Sequence, residues 1–409
     1  MRQVSPPSSP LPPFELERFF AKHEFSAPYL ACCSDCEPLT LQQLLQLGND
    51  DESEANLGQI LGVSLGYTET QGLPALRQAI VNYYHGPSIQ PEDVCVCVPE
   101  EGVYLTMRVL LRPGDHVVCT FPGYQSLYSI AASIGCTVSK WEPEMSPAPV
   151  FHVEKLQELV KSAPTRLVVV NFPHNPTGAL LSHTEWDRVL ELCKDNNCYL
   201  FSDEMYRGLE LNPEARLPSA ADKYEHAISL NGCSKALALP GLRLGWLTCR
   251  DKLLRDQVLT LKDYTTICAA APSEVLALMA VRAAPRLIKR NLQVIQGNID
   301  VVKAFAAQWH SVLEFSPPVA GSVAFPRLKQ QFMDIVAATH KERISRGVSV
   351  IESFADEIVA ACGVLILPAS VYGHENSTQS GHFRLGLGRK NLNECLDRLG
   401  QHLQKVLGA

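Results

Sequence analysis

The chain has 409 residues, 46% of them hydrophobic, a formal net charge of -7 and a pI near 6.0. This length predicts one large domain and a smaller one, and the acidic balance argues against nucleic acid or an anionic membrane as the main partner. No segment reaches the roughly 20 apolar residues that span a bilayer, so we expect a protein of the cytoplasm without a membrane segment.

The 14 cysteines and 12 histidines show no complete set of metal-ligand spacings. The sequence therefore predicts reduced, mostly buried thiols and no metal site.

The first 13 residues hold five prolines and predict a flexible arm. We expect residues 14–50 to contribute to the smaller domain. Within them, the unusual segment Ser34–Pro38 carries Asp35 and Glu37. One interpretation has these acids meet a cationic substrate side chain, and the other leaves them as solvated loop acids.

From about residue 93, short β-branched runs alternate with amphipathic stretches, so we predict a large domain over 51–286 built of β-α units. Its sheet is mostly parallel and covered by helices on both faces. Two of the helices are predicted over Gly102–Leu111 and His183–Asn196. The seven predicted strands are Val94–Val98, His116–Thr120, Thr137–Trp141, Leu167–Asn171, Tyr199–Ser202, Ala227–Leu230 and Leu242–Thr248.

Polar residues follow two of these strands, at the sheet edge where open α/β proteins bind ligands. Asn175 lies in the proline-rich turn after Leu167–Asn171. Asp203 comes directly after an apolar strand, where an unpaired carboxylate would be costly, so a cationic partner such as a pyridinium nitrogen is implied. Tyr206 could then donate to a neighbouring phenolate oxygen. The alternative for Asp203 is the N-cap of a following helix.

The segment Asn231–Trp246 places Lys235 in a small-residue turn and Arg243 eight residues later. A lysine that attacks an aldehyde needs a constrained, partly desolvated position that lowers its pKa, and an arginine offers a bidentate fork to a phosphate. The segment thus predicts a cofactor lysine and a phosphate-binding arginine.

After residue 286 the pattern changes to that of a smaller α+β domain over 287–409. Its predicted elements are a helix over Leu287–Trp309, a strand over Ser322–Pro326, a helix ending near Cys362, a strand over Val364–Leu367 and a helix over Asn391–Leu407.

A lysine for a Schiff base, an acid for a ring nitrogen and an arginine for a phosphate describe pyridoxal 5′-phosphate (PLP). From about Phe14 to its C-terminus the chain resembles the class I/II aminotransferases, fold-type I PLP-dependent enzymes. That family implies a three-layer αβα large domain with a mostly parallel seven-stranded sheet and a smaller α+β domain. The matching motifs are Gly66–Arg77, Pro113–Asp115, Asn175–Gly178, Ser202–Tyr206, Ser234–Lys235 with Arg243, and Phe383–Gly386.

The resemblance implies that Lys235 forms the Schiff base and carries the α-proton. Asp203 would pair with the pyridine nitrogen, and Asn175 and Tyr206 would hydrogen-bond the ring oxygen. Tyr124 matches the aromatic residue that stacks on the ring.

Other matched positions surround the phosphate and the substrate. Arg243 and Ser234 would hold the phosphate together with Tyr67, which would reach in from the partner subunit of a homodimer. Arg384 matches the arginine that clamps the substrate α-carboxylate. Cys36, in the segment on the carboxylate side of the pocket, is expected to contact substrate, and so is Asn175.

The phosphate-binding segment departs from the family pattern. The chain has Val98–Gly102 where relatives carry glycine and hydroxyl residues, and its Pro99 has no N–H to donate. The backbone amides of Glu100 and Glu101 at a helix start could bind the phosphate instead, with the carboxylates turned outward. Gly232 also occupies a position that often carries a phosphate-binding serine.

Two enzymatic functions remain open from the sequence. The first is transamination between an α-amino acid and a 2-oxo acid. The second is a PLP-dependent lyase, cyclase or oxidase reaction without net transamination, because several segments also resemble capreomycidine synthases. A non-catalytic binding module is disfavoured, since Lys235, Asp203, Arg243 and Arg384 are all present.

Overall fold

A computed structural model describes residues 11–48, 57–84, 86–145, 148–373 and 381–408. Most of the predicted arm over residues 1–13 and the predicted boundary between residues 50 and 51 lie outside this part of the chain. The described α-helices are α1 (Glu15–His23), α2 (Leu41–Gly48), α3 (Leu57–Leu61), α4 (Pro74–Tyr84), α5 (Pro99–Leu110), α6 (Ser126–Ile134), α7 (Val153–Lys161), α8 (His183–Asp195), α9 (Ala220–Lys223), α10 (Lys252–Lys262), α11 (Ala271–Arg282), α12 (Ala284–Gln308), α13 (Gln330–Thr339), α14 (Lys341–Ser345), α15 (Val350–Cys362) and α16 (Leu392–Leu407).

The described strands form one large sheet and three small ones. They are β1 (Tyr29–Leu30), β2 (Val94–Cys97), β3 (His116–Thr120), β4 (Thr137–Trp141), β5 (Thr165–Asn171), β6 (Tyr199–Asp203), β7 (Ala227–Gly232), β8 (Gly245–Cys249), β9 (Leu313–Glu314), β10 (Val323–Ala324), β11 (Arg327–Leu328), β12 (Val364–Leu365), β13 (Leu367–Pro368) and β14 (Phe383–Gly386).

The central sheet has seven strands in the order β2-β8-β7-β6-β5-β3-β4, and β8 runs antiparallel to both its neighbours while the other pairs are parallel. The predicted mostly parallel seven-stranded sheet is therefore confirmed. The bounds of β2, β5, β6, β7 and β8 differ from the prediction, most of all in β8. Strand β8 begins at Gly245 rather than Leu242, because Pro240–Leu242 form a 3-10 turn and Arg243 has a left-handed φ of 48°.

Both faces of the sheet are buried. In β5, Leu167 and Val169 belong to one core cluster, whereas Val168 and Val170 belong to a second cluster formed with α7 and α8. Successive side chains of a strand point to opposite faces, so a strand that is apolar throughout needs helices on both sides. This packing gives the three-layer αβα architecture that the sequence predicts.

The N-terminal segment joins the C-terminal part of the chain. Strand β1 pairs in parallel with β12, and beyond it the Gly386 N–H donates to the Ala31 carbonyl at 2.8 Å. The Glu37 N–H donates to the Gly388 carbonyl at the same distance. A Cβ on Gly386 would lie 1.9 Å from the Cys33 carbonyl oxygen, so only glycine permits this approach. The domain limits at residues 50 and 286 stay predictions.

Two further features bear on the sequence expectations. All 14 cysteines carry free thiols. Within the described ranges, no helix combines the length and the apolar character needed to cross a membrane.

Candidate active site

Four predicted site residues follow the ends of adjacent parallel strands. Tyr124 comes shortly after β3, Asn175 after β5, Asp203 ends β6, and Lys235 follows β7. These strands are neighbours and point the same way, so their carboxyl ends meet at one edge of the sheet. The spacing of the motifs along the chain thereby becomes a single cluster in space.

The Lys235 amine lies at the centre of this cluster. Its Nζ donates to Ser34 Oγ at 2.7 Å and lies 5.9 Å from the ring centroid of Tyr206. Burial lowers the pKa of Lys235; the negative charge of Asp35 opposes this effect and the positive charge of Arg384 adds to it. A lysine in such surroundings holds its amine neutral, and thus nucleophilic, at lower pH than a solvated lysine does.

The Asp203 carboxyl is buried, with 7% of its surface exposed, and its Oδ1 accepts from the Met205 N–H at 3.0 Å. Burial raises its pKa to about 7, although the Met205 N–H and the charge of Lys235 favour the ionised form. Among the described residues, no lysine or arginine pairs with it. A buried acid without a counterion fits a protonated ring nitrogen. The N-cap alternative is wrong, because no helix begins between Asp203 and Pro213.

Asn175 and Tyr206 lie at the same edge. Asn175 Oδ1 accepts from the Tyr372 hydroxyl at 3.0 Å and from Arg384 Nη1 at 3.3 Å, which leaves its amide nitrogen to donate. Burial raises the pKa of Tyr206 to about 12. Its hydroxyl therefore keeps its proton at neutral pH and can donate it to a ring oxygen.

Arg384 is almost completely buried, with 1% exposure. Its Nε donates to the Cys32 carbonyl at 3.0 Å and its Nη1 to the Tyr372 hydroxyl at 2.5 Å. In the described part of the chain no carboxylate lies within ion-pair distance of the guanidinium. Because these acceptors are neutral, the positive charge of Arg384 is available to bind an anionic ligand. A carboxylate suits the two parallel N–H groups of a guanidinium.

The predicted phosphate residues differ in how far they are exposed. Ser234 is buried, whereas Arg243 is exposed and its Nη1 donates to the Pro240 carbonyl at 3.2 Å. Helix α5 begins at Pro99 rather than at the predicted Gly102, which places proline in the first turn, where no N–H is needed. The positive charge at an N-terminus of this kind favours an anion.

The two glutamates of α5 point in different directions. Glu101 accepts from Thr265 Oγ1 at 2.5 Å and from Thr266 Oγ1 at 2.7 Å, so its carboxylate faces a loop of the chain. Burial raises the pKa of Glu100, and the charge of Arg243 opposes that rise. Glu100 thus lies close enough to Arg243 for the two charges to interact.

The missing serine at position 232 has a steric cause. Gly232 pairs with Gly245 across β7 and β8, and a Cβ on Gly232 would lie 2.9 Å from the Gly245 Cα. Two strands approach too closely here for a side chain. Tight packing of β7 against β8 therefore leaves no room for a side chain at position 232.

For Tyr67, Tyr124 and Cys36, the surroundings in the single chain do not indicate the predicted contacts with cofactor or substrate. Tyr67 is 90% exposed. The Tyr124 hydroxyl donates to Glu17 Oε1 at 3.2 Å, and its ring centroid lies 5.1 Å from that of Phe14. Cys36 is fully buried, and burial raises its thiol pKa to about 12. Their roles toward cofactor and substrate stay predictions.

Asp35 and Glu37, the two acids of the Ser34–Pro38 segment, both have partners within the protein. Asp35 is held by Arg389, whose Nη2 lies 2.8 Å from Asp35 Oδ2. Glu37 Oε2 accepts from the Lys390 N–H at 3.1 Å. Neither of the two acids is a free loop charge, and Asp35 already has a cationic partner inside the protein.

Sequence reasoning missed Ser34 and Tyr372. Ser34 belongs to the Ser34–Pro38 segment, which the sequence marks by its acids Asp35 and Glu37. Its contact with Lys235 joins residues 201 positions apart, so no local pattern predicts it. Tyr372 connects Asn175 to Arg384 and has no local motif. Only the three-dimensional arrangement identifies it.

Comparison with known proteins gives consistent matches. The family model described as "Aminotransferase class I and II" matches residues 50–399. A capreomycidine synthase of Streptomyces vinaceus is 28% identical over 97% of this chain and 95% of its own length. An arginine–pyruvate transaminase of Pseudomonas aeruginosa is 27% identical over 89% of this chain and 91% of its own. The solved structure of a PLP-dependent aminotransferase from Streptococcus suis has a TM-score of 0.84 at 27% identity and covers 97% of this chain and 98% of that one.

Proposed function

The chain belongs to the class I and II aminotransferase family of PLP-dependent enzymes, and we propose that it moves an amino group between an α-amino acid and a 2-oxo acid. The observation that carries this proposal is the position of the Lys235 amine. It lies in one site with the buried acid Asp203 and with Arg384, whose guanidinium has no described carboxylate partner. The Lys235 amine would bond to a cofactor aldehyde, Asp203 would pair with the ring nitrogen of that cofactor, and Arg384 would bind a substrate carboxylate.

Each side chain has a definite task in this proposal. Asp203 would hold the pyridine nitrogen, and Asn175 and Tyr206 would donate to the ring oxygen. When bound, PLP supplies an electron sink for the charge that develops at the substrate Cα. Arg384 would bind the α-carboxylate and so fix the Cα–H bond, while Lys235 takes the α-proton and returns it on the cofactor side.

The phosphate would bind at the opposite end, between Arg243, Ser234 and the backbone amides at the start of α5. The exposure of Arg243 in one chain supports a site that a second copy completes. We include a homodimer in the proposal, with Tyr67 of each copy reaching the phosphate of the other.

An exposed apolar patch supports this dimer. Leu61, Leu65 and Tyr67 are 76%, 85% and 90% exposed, and Tyr264 is 85% exposed. The Thr68 hydroxyl donates to the Ala269 carbonyl at 3.2 Å, which joins the loop of Leu65 and Tyr67 to the loop of Tyr264. Large apolar patches on soluble proteins are typical of interfaces. A cytoplasmic location is also part of the proposal, supported by the free thiols.

The second candidate is a cyclase, lyase or oxidase reaction on the same PLP-bound amino acid. Similarity to a capreomycidine synthase along nearly the whole chain favours keeping it. Lys235 would have the same task in both candidates. They differ in whether the amino group of the substrate is passed to a 2-oxo acid and in whether the carbon skeleton of the substrate is changed.

The test begins with Lys235→Ala in the PLP-loaded protein. The absorbance of the lysine-bound cofactor and the reaction should both disappear, and survival of both would remove Lys235 from the mechanism. Lys252→Ala, at a side chain 76% exposed, is the matched control and should change neither.

A panel of amino acids then separates the two candidates. Formation of a 2-oxo acid, with the cofactor regenerated by pyruvate or 2-oxoglutarate, supports transamination. Release of ammonia, or a product that keeps its nitrogen, supports the second candidate instead.

A further inference from the structure

Helix α1 packs beside Tyr124 and Arg384 and is held by contacts at both ends. At its start, the Glu15 N–H donates to Gln125 Oε1 at 2.8 Å, and Gln125 Nε2 donates to the Pro13 carbonyl at 2.8 Å. At its end, Lys22 Nζ lies 3.4 Å from Asp356 Oδ1 in α15. These contacts fix which face of α1 is turned toward the site.

That face carries Glu17, Phe20 and Glu24, which are spaced so that they line one side of a helix. Glu17 accepts the hydrogen bond from the Tyr124 hydroxyl at 3.2 Å, and the Phe20 ring centroid lies 6.0 Å from the Arg384 guanidinium carbon. Phe20 therefore covers the arginine that would hold the substrate carboxylate. Glu17 and Glu24 lie about one helical turn away on either side.

The two acids lack a cation. In the described ranges, no lysine or arginine lies within ion-pair distance of Glu17 or Glu24, whereas Asp35 is already held by Arg389. Glu24 is half-buried, and its pKa is raised by burial and then by the charges of Glu17 and Asp35, with Arg389 opposing. The described part of α1 thus presents two acids without an ion-pair partner to a site that Lys235 and the buried Arg384 independently mark as a ligand site.

Resting on the proposed function, we propose that the amino acid bound between Lys235 and Arg384 has a cationic side chain, and that Glu17 and Glu24 hold its charge. With the α-carboxylate on Arg384, an aliphatic stem can pack against Phe20, so that a guanidinium or ammonium at its end lies between Glu17 and Glu24. A neutral side chain would leave both acids unpaired, and an acidic one would be repelled.

The test compares amino acids that differ mainly in charge. Arginine and citrulline form one pair, and lysine and norleucine form the other. Each is titrated into the PLP-loaded protein, and the change in cofactor absorbance gives a dissociation constant without depending on turnover. We expect the cationic member of each pair to bind about tenfold more tightly or better, and added salt to reduce the difference.

Glu17→Gln and Glu24→Gln should each reduce that preference to about threefold or less, by weakening the cationic member only. Glu15→Gln is the matched control on another face of the same helix and should keep the full preference. Equal binding within each pair, or a preference that survives both substitutions, would overturn the inference.

This outcome is distinct from failure of the proposed function. If no amino acid, cationic or neutral, changes the absorbance of a cofactor that Lys235 holds, both proposals fall. If neutral amino acids react and cationic ones bind no better, transamination stands and the role of α1 is wrong.

Discussion

The two sides of the active site are assembled in different ways. The cofactor side is made of residues that follow the ends of neighbouring parallel strands, such as Asn175, Asp203 and Lys235. The substrate side is made of segments from both ends of the chain, in which Arg384 meets Cys32 across 352 positions and Lys235 meets Ser34 across 201. One side is fixed by the sheet, and the other by long-range contacts between the terminal segments.

This difference assigns distinct tasks to the two sides. Strands that are buried on both faces hold their exit residues rigidly, which suits a cofactor whose chemistry is the same for every substrate. The terminal segments are packed onto that frame, and in the proposed function their Arg384 would bind the substrate carboxylate. Substitutions on one side should therefore leave the function of the other intact.

Arg384→Lys should give the largest separation of the two sides. The lysine lacks the fork that meets a carboxylate, so we expect substrate binding to weaken by roughly a hundredfold while the absorbance of the lysine-bound cofactor is unchanged. The measurement is a titration with amino acid, together with thermal unfolding to check the fold.

Arg398→Lys is a matched surface control for that substitution, because the Arg398 side chain is 48% exposed. It should behave as the wild type. Loss of the cofactor absorbance in Arg384→Lys would show that the two sides are not independent.

The same division explains what could be predicted from the sequence. Lys235, Asp203 and Asn175 were found because each follows an apolar run at a short, fixed distance, and parallel strands bring such positions together. Ser34 and Tyr372 were missed because their contacts depend on how the terminal segments fold back. The absence of a side chain at Gly232 was visible in the sequence, but its reason, the close approach of Gly245, required the structure.

The charge of Asp203 gives a second prediction, specific to the cofactor side. Burial raises its pKa in the folded, cofactor-free protein to about 7, well above the usual range for an aspartate. A raised acid pKa stabilises the fold at low pH, and this contribution is lost as the pH rises through about 7. The cofactor-free protein should lose on the order of 4 kcal/mol of unfolding free energy between about pH 4 and pH 8 from this group.

Asp203→Asn should remove this pH dependence, and PLP should suppress it in the wild type by supplying the missing cation. Thermal unfolding of both proteins from pH 4 to pH 8, with and without PLP, measures the effect. A slope that persists in Asp203→Asn would assign the titration to another group. The variant should also lose activity by roughly a hundredfold, since an amide cannot hold the ring nitrogen in its protonated form.

The smallest expected effect concerns the two neighbouring acids of α5, which test how the cofactor side handles the phosphate. Glu100 lies near Arg243 at the start of the helix, so its carboxylate opposes a bound dianion. Glu101 instead binds the Thr265 and Thr266 hydroxyls.

Glu100→Gln should tighten PLP binding by about threefold, and Glu101→Gln should change it by less than about twofold. Titration of the cofactor-free protein at low and high salt measures both, since the gain in Glu100→Gln is electrostatic and should shrink with salt. An equal change in the two variants would mean that the phosphate does not bind at the start of α5, and would leave Arg243 and Ser234 to hold it.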